Sequence, residues 1–200
     1  MITIVDYGLG NLSSIKSMLR RLGHSAVITG DPAQIAQADK IILPGVGACD
    51  NGMRNIRERG LEPLLNRKAL EERVPVLGIC LGMQLLSGSS EEGSESGLGW
   101  IAGTAVRFEF SGEDSGLKVP HMGWNTVSVT GSCPLTEHFL PEMRFYFVHS
   151  YHVVCEHPED VLLTTEYGGT VTAGVCRGNI MGTQFHPEKS HKYGMIILRN

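Results

Sequence analysis

The chain has 200 residues, of which 42% are hydrophobic and 19% are charged, and its formal net charge at pH 7 is −4. Such values are typical of a globular protein, so we expect one domain over residues 1–200 rather than a disordered chain. The slightly acidic balance gives no electrostatic reason to expect nucleic acid or an anionic membrane as a partner.

The cysteines and the N-terminal sequence bear on location. There are five cysteines, an odd number, with neither Cys-x-x-Cys nor zinc-finger spacing, so we expect free thiols and no metal. The N-terminus enters an apolar run at once, without the regions of a signal peptide. No apolar run approaches the ~20 residues of a membrane span. We therefore expect a cytoplasmic protein.

The first half of the chain alternates apolar runs with amphipathic segments. The runs predict strands at 2–5, 26–29, 40–43 and 74–79, and the segments predict helices at 12–22, 32–38, 50–59 and 61–72. This alternation predicts a parallel sheet with helices on both faces. Functional residues are then expected at the carboxyl ends of the strands.

A glycine-rich turn, Asp6-Tyr-Gly-Leu-Gly10, follows the first strand. It is similar to a dinucleotide-binding loop, but Ser13 stands where the third glycine of that fingerprint belongs. Asp31 lies about where a ribose contact would be, but Pro32 follows it, so a helix cap is the simpler role. Nucleotide binding at this turn is the weaker interpretation.

The second half of the chain has a different character. Short runs rich in Val, Thr and aromatic residues are separated by glycine and proline, and they predict strands at 104–108, 126–130, 144–148, 161–167, 171–176 and 180–185. We expect these as antiparallel strands added beside the parallel core. A closing helix is predicted over 190–199.

Cys80 stands at the centre of a nucleophile-elbow pattern. The strand at 74–79 leads into Gly78-Ile-Cys-Leu-Gly82, the G-x-nucleophile-x-G pattern with cysteine in place of serine. Crowding at such a turn requires residues without Cβ on both sides, and the following helix N-terminus favours the thiolate. A lone cysteine is more often a buried structural residue. The paired glycines and a second motif favour a nucleophile instead.

The second motif is Gly182-Thr-Gln-Phe-His-Pro-Glu188. Gln184, His186 and Glu188 alternate, so on an extended backbone they share one face. His186 can take the proton of a thiol, and Glu188 can accept from the other ring nitrogen. The alternative is a surface His-Pro-Glu turn, since short motifs are weak evidence. Beside the elbow, we favour a Cys80–His186–Glu188 triad.

Acyl transfer also needs hydrogen-bond donors for an oxyanion. In an elbow fold one donor is the backbone N–H after the nucleophile, here Leu81. The loop Pro44-Gly-Val-Gly47 suits the second, through Val46 or Gly47, because its glycines allow the backbone to approach a substrate closely. An ordinary turn is the alternative for this loop.

The two motifs together resemble those of the class I (triad) glutamine amidotransferases. Four further stretches are similar to the glutaminase subunits of imidazole glycerol phosphate synthases, and they lie at 6–11, 44–47, 120–125 and 146–151. The similarity covers essentially the whole chain. It implies a flavodoxin-like α/β architecture, a mostly parallel central sheet with helices on both faces and added antiparallel strands, and no cofactor.

The resemblance also implies a reaction and a partner. Cys80 attacks the side-chain amide of glutamine, and the ammonia passes to a (β/α)₈ cyclase subunit. That partner makes imidazole glycerol phosphate and aminoimidazole carboxamide ribotide in histidine biosynthesis. By resemblance, the residues that hold glutamine are Gly45, Gln84, Ser150 and Tyr151. Those that face the partner and the ammonia path are Asn11, Trp124, Tyr146 and Lys189.

The family resemblance further implies weak glutaminase activity until the partner binds its substrate, with a hinge in the 44–47 loop as the cause. Three other functions remain open. One is another class I glutaminase, such as the pyridoxal phosphate synthase subunit, against which the 120–125 stretch argues. Another is a non-catalytic scaffold, against which the intact triad argues. The third is a cysteine hydrolase of peptides or γ-glutamyl chains, which would need no partner.

Overall fold

The computed structural model describes residues 1–112 and 114–200. Within them, the strands are β1 (Ile2–Val5), β2 (Ala26–Thr29), β3 (Lys40–Gly45), β4 (Val76–Cys80), β5 (Ser89–Ser90), β6 (Gly103–Arg107), β7 (His121–Thr126), β8 (Ser128–Val129), β9 (Arg144–His149), β10 (Tyr151–Cys155), β11 (Val161–Glu166), β12 (Thr170–Arg177) and β13 (Ile180–Thr183). The α-helices are α1 (Leu12–Arg21), α2 (Pro32–Ile35), α3 (Cys49–Glu58), α4 (Glu62–Asn66), α5 (Leu81–Leu85) and α6 (His191–Arg199). A π-helical turn, Arg67–Glu71, extends α4.

The central sheet has the strand order β2-β1-β3-β4-β13-β12-β11-β8. Strands β2, β1, β3, β4 and β13 run parallel, and β12, β11 and β8 continue the sheet antiparallel. The predicted α/β class, with a mostly parallel sheet and added antiparallel strands, is therefore confirmed. Two smaller sheets, β10-β6-β5 and β7-β9, lie outside the central one.

The prediction that the strand at 180–185 belongs to the antiparallel additions is wrong. Strand β13 pairs with β4 in parallel, with Ile180 opposite Val76, and so completes the parallel core. The reason is the tight turn after β12, where Arg177 pairs with Ile180 and the chain reverses direction. That reversal aligns β13 with β4.

Helices cover both faces of the central sheet, as predicted. On one face, Met53 of α3, Leu65 of α4 and Leu81 of α5 belong to one buried cluster. On the other face, Ile15 of α1 and Ile197 of α6 belong to a second buried cluster. Each fully buried side chain of this size contributes about 1.5–3 kcal/mol of transfer free energy. No helix in residues 1–112 and 114–200 is long and apolar enough to cross a bilayer.

Local signals set several helix ends. The Asp31 side chain accepts a hydrogen bond from the Ala33 N–H at 2.9 Å, so Asp31 is the N-cap of α2. This helix ends at Ile35, three residues before its predicted end. Gly23, with φ of +83°, follows the end of α1, a conformation that glycine adopts readily.

The parallel strands bring their carboxyl ends to one edge of the sheet. The loop after β1, the 46–48 loop after β3, Cys80 at the end of β4 and the segment after β13 therefore meet there. This edge is where a parallel sheet is expected to carry its functional residues.

Candidate active site

Cys80 occupies a strained turn between β4 and α5. Its φ is +55° and its ψ is −108°, a conformation that non-glycine residues rarely adopt. A Cβ on Gly82 would lie 1.7 Å from the Leu43 carbonyl oxygen, and a Cβ on Gly78 would lie 2.7 Å from the Gly82 carbonyl oxygen. The prediction that both flanking residues must lack a Cβ is confirmed. The elbow leaves Cys80 as the N-cap of α5.

His186 and Glu188 form a buried hydrogen-bonded pair. The His186 Nδ1 and Glu188 Oε1 atoms are 2.8 Å apart. His186 is extended, with φ of −98° and ψ of 99°, as the following proline predicted. The extended backbone does not continue to Glu188, because Pro187–Lys189 is a 3₁₀ turn that starts at the proline. Glu188 therefore reaches His186 through a turn rather than by strand alternation.

The surroundings of His186 favour its charged form. Burial opposes ionisation, but the neighbouring Cys80 and Glu188 outweigh it and raise the pKa of His186 to about 9. The Nε2 atom is buried and, within the part of the chain that the structure describes, has no hydrogen bond. This nitrogen is thus available to exchange a proton with a group bound in the adjoining pocket.

A pocket of about 400 Å³ adjoins the elbow and contains most of the predicted site residues. Its lining includes Cys80 and His186 together with Val46, Gly47, Leu81, Gln84, Ser150 and Tyr151. These residues, from four separate parts of the chain, thus converge on one cavity. Glu188 lies behind His186, where it contacts the ring and not the cavity.

Gly45 lies behind the pocket rather than in its lining. It is the last residue of β3 and the register partner of Cys80. A Cβ at Gly45 would lie 2.3 Å from the Tyr7 hydroxyl oxygen and 2.9 Å from the Leu81 Cβ. Its visible role is to let β3 pack closely against the elbow, and a direct contact with glutamine stays a prediction.

Gln84 is held by the protein through its amide nitrogen. Its Nε2 atom donates to the Tyr151 carbonyl oxygen at 2.9 Å and to Gln184 Oε1 at 3.1 Å. Among the residues that the structure describes, only the Cys49 thiol contacts its Oε1 atom, weakly, at 3.7 Å. Gln84 can therefore offer a ligand an acceptor, while its two donors fix its orientation.

Glu92 is a pocket residue that sequence reasoning missed. Among the described lining residues it provides the only carboxylate. Its Oε2 atom accepts from the Cys49 backbone N–H at 2.8 Å, at the first turn of α3. The sequence does not indicate this position in the pocket, because Glu92 lies in a Ser/Glu/Gly-rich stretch that is typical of an exposed loop.

Two further residues contact Cys80 and His186. Gln184 donates from Nε2 to Cys80 Sγ at 3.8 Å and is fully buried. The Ser190 hydroxyl donates to the His186 carbonyl oxygen at 2.6 Å and accepts from the Tyr146 N–H at 3.0 Å. Alternation with His186 had pointed to Gln184, whereas no local pattern distinguished Ser190.

Three of the four residues predicted to face a partner are neighbours. Trp124 is 47% exposed, and its ring lies edge-on to that of Tyr146, with 6.2 Å between centroids. Lys189 Nζ lies 5.7 Å from the Tyr146 centroid. Asn11 follows Gly10, where an added Cβ would lie 3.3 Å from Pro44, so it adjoins the 44–47 loop.

The sequence places this chain in a known class. A sequence model of the family Glutamine amidotransferase class-I matches residues 3–200. The chain therefore belongs to the class I glutamine amidotransferases. The solved structure of PurLQS from Thermotoga maritima is similar in fold, with a TM-score of 0.76 at 21% identity, over 98% of this chain and 94% of that chain.

Within that class, the curated relatives form a narrower group. The Imidazole glycerol phosphate synthase subunit HisH 2 of Methanococcus maripaludis is 51% identical, over 100% of this chain and 98% of the relative. The subunit of the same name from Pseudomonas aeruginosa is 49% identical over the same shares. The subunit HisH of Sulfurimonas denitrificans is 49% identical, over 100% and 96%. The chain is thus a member of the HisH family of glutamine amidotransferase subunits.

Proposed function

We propose that this chain is the glutaminase subunit of an imidazole glycerol phosphate synthase, with Cys80, His186 and Glu188 as its catalytic triad. The observation that carries the triad is the 2.8 Å contact between His186 Nδ1 and Glu188 Oε1, beside a pocket that His186 shares with Cys80. A nucleophile, a base and an orienting acceptor in this order are the parts that acyl transfer requires.

The reaction proceeds in two halves. The Cys80 thiolate attacks the side-chain amide carbon of glutamine and forms a tetrahedral intermediate. His186 then gives its Nε2 proton to the leaving nitrogen, so ammonia departs and a glutamyl thioester remains. His186 next takes a proton from water, the water oxygen attacks the thioester carbon, and glutamate leaves as the thiolate re-forms.

The developing oxyanion needs donors at the pocket wall. The Leu81 N–H at the start of α5 is one, and an N–H of Val46 or Gly47 is the second. Both loop residues line the pocket, and Gly47 has φ of +106°, which a residue with a Cβ rarely adopts. We propose that rotation of a peptide in this loop completes the oxyanion hole.

Two groups recognise the amino acid. The Glu92 carboxylate suits the α-ammonium group of glutamine, because opposite charges in a pocket attract more strongly than in bulk water. The Oε1 acceptor of Gln84, which has only the weak thiol contact among the described residues, suits a second N–H of the substrate. Ser150 and Tyr151 line the same wall and hold the ligand between them and Val46.

The ammonia goes to a cyclase subunit with a (β/α)₈ barrel, which turns it into imidazole glycerol phosphate for histidine biosynthesis. A closed interface is needed because free ammonia would be protonated in solvent. The exposed apolar residues Met122 and Trp124 beside the pocket support this face as the interface. The five free cysteines support a reducing, cytoplasmic location for this single-domain subunit.

Glutamate release, measured with and without the cyclase subunit and its nucleotide ligand, tests the function. We expect strong stimulation by the liganded partner and complete loss of activity in Cys80→Ala. Robust hydrolysis of peptides by the isolated chain would overturn the proposal.

A surface variant tests the partner face separately. Trp124→Ala should weaken the complex at least tenfold, because exposed aromatic residues dominate such interfaces. Leu70→Ala is the matched control, since Leu70 is a comparably exposed apolar residue, at 51%, on the π-helical turn. Equal loss of binding in both variants would contradict the assignment of this face.

A further inference from the structure

Two buried histidines, one in the lining of the glutamine pocket and one behind it, are not used by the triad: His149 lines the pocket, and His121 lies outside that lining. His121 of β7 and His149 of β9 are register partners, and His121 Nδ1 lies 3.0 Å from His149 Nε2. His149 Nδ1 lies 2.8 Å from the Tyr151 carbonyl oxygen. On the other side, Asn125 Nδ2 lies 3.5 Å from His121 Nε2.

The Tyr151 carbonyl oxygen determines which atom donates in each of these hydrogen bonds. A carbonyl oxygen only accepts, so His149 Nδ1 must carry the proton, and the Nε2 of a neutral His149 must accept. His121 Nδ1 therefore donates, and His121 Nε2 accepts from Asn125. The Asn125 amide is oriented independently, because its Nδ2 donates to the Glu166 carbonyl oxygen at 2.8 Å. Both rings are thus fixed as the Nδ1–H tautomer.

Packing keeps both rings neutral and in place. The His121 ring stacks between Phe147 and Tyr167, with centroid distances of 4.7 and 4.0 Å. Burial lowers the pKa of His121 to about 4 and that of His149 to about 3, so neither is charged at pH 7.

This series of hydrogen bonds ends at Tyr151, which lines the substrate pocket. The Tyr151 carbonyl oxygen accepts from His149 and also from Gln84 Nε2, at 2.9 Å. Gln84 in turn donates to Gln184, which contacts the Cys80 sulfur. One carbonyl therefore joins the histidine pair to the side chain that faces the ligand.

We propose that His121 and His149 are positioning residues for glutamine, which act by fixing the Tyr151 carbonyl and, through it, Gln84. This inference rests on the proposed glutaminase function. The pair contacts the supporting groups of the pocket rather than the reacting atoms, so its loss affects substrate binding more than the chemical step.

Two variants of His121 separate hydrogen bonding from packing. His121→Phe keeps a ring between Phe147 and Tyr167 but removes the donor to His149, and we expect KM for glutamine to rise about tenfold. His121→Asn loses the ring but keeps an N–H near the Nδ1 position, and we expect its KM to stay within about threefold of wild type. Assays with the liganded cyclase subunit give kcat and KM, and urea unfolding shows that each variant is folded. The reverse order of KM values would overturn the proposal, since packing alone would then explain the pair.

Nitrogen-15 NMR of the histidine rings is a readout that needs no activity. At pH 7 we expect both rings as the neutral Nδ1–H tautomer, and in His121→Phe a shifted Tyr151 carbonyl carbon signal. An Nε2–H or doubly protonated ring at either position would overturn the proposal. If wild type lacks glutaminase activity, the proposed function fails, while the NMR result still decides whether the histidines hold the Tyr151 carbonyl.

Discussion

The Nδ1 atom of His186 lies 2.8 Å from the Oε1 atom of Glu188, and each side chain is only 1% exposed. A charge buried to this extent needs an oppositely charged partner, because an unpaired buried ion lowers the free energy of unfolding by several kcal/mol. Glu188 therefore holds the imidazolium of His186 in place. Substitution of either residue is expected to change kcat and the free energy of unfolding strongly.

Replacement of Glu188 by Gln should lower kcat by about 10²–10⁴, because an amide cannot stabilise the imidazolium and can favour the wrong tautomer of His186. KM for glutamine should change little, since Glu188 lies outside the pocket lining. Steady-state glutamate release with the liganded partner measures both values. Glu159→Gln is an exposed control, and a Glu188→Gln kcat within threefold of wild type would refute the orienting role.

The stability that the His186–Glu188 pair provides should depend on pH. The pKa of His186 is raised from 6.5 to about 9, since Cys80 and Glu188 together outweigh the opposing effect of burial. Stability from a raised pKa is fully present below the unfolded value, near pH 6.5, and is lost as pH rises through 9. Urea unfolding at pH 6, 7.5 and 9 should show the stability advantage of wild type over Glu188→Gln shrinking as pH rises, because Glu188 contributes part of the raised pKa. A constant difference would argue that His186 does not titrate in this range.

The elbow should not tolerate a methyl group at Gly82. A Cβ there would lie 1.7 Å from the Leu43 carbonyl oxygen, which the backbone of β3 holds in place. Gly82→Ala should therefore lose at least about 3 kcal/mol of unfolding free energy or fail to fold. At Gly88 the closest atom would be 3.6 Å away, so Gly88→Ala should stay within about 1 kcal/mol of wild type. Similar unfolding midpoints for the two variants would contradict the packing described for the elbow.

Glu92 and its neighbour Glu91 form a natural control pair. Glu92 lines the pocket, whereas the Glu91 carboxylate accepts from the Arg107 N–H at 2.7 Å. Glu92→Gln should raise KM for glutamine about 10–100-fold and leave kcat nearly unchanged, because it removes the charge opposite the α-ammonium group. Glu91→Gln should change neither constant. The assignment fails if Glu92→Gln weakens the binding of a glutamine analogue without the α-amino group as much as it weakens the binding of glutamine.

The sequence predicted the parallel half of the fold well, because buried parallel strands and amphipathic helices each carry a local period. It missed β7 and β10. Strand β7 contains Gly123 and follows Pro120, both typical of a turn, and β10 follows β9 after Ser150 alone. The parallel direction of β13 was also beyond local reasoning, since strand pairing depends on distant residues.

Short motifs identified the candidate triad residues and most residues of the pocket wall, whereas they did not identify the supporting residues. His121 and His149 are 28 positions apart, and only the β7–β9 register brings them together. Glu92 looks like a solvated loop residue until the loop folds over α3. Supporting contacts of this kind depend on tertiary structure, so local sequence patterns do not predict them.

The assignment of Cys80 as the nucleophile is tested most directly by covalent labelling. A glutamine analogue that carries a diazoketone in place of the amide reacts with an activated thiolate: the diazo carbon takes up a proton, the thiolate displaces dinitrogen, and a thioether forms. Mass spectrometry of the digested protein should find one adduct, on Cys80, that excess glutamine prevents and that His186→Ala greatly slows. Cys49 should stay unlabelled, because burial helps to raise the pKa of its thiol to about 11. An adduct on Cys49 instead, or full glutaminase activity in Cys80→Ala, would contradict the account.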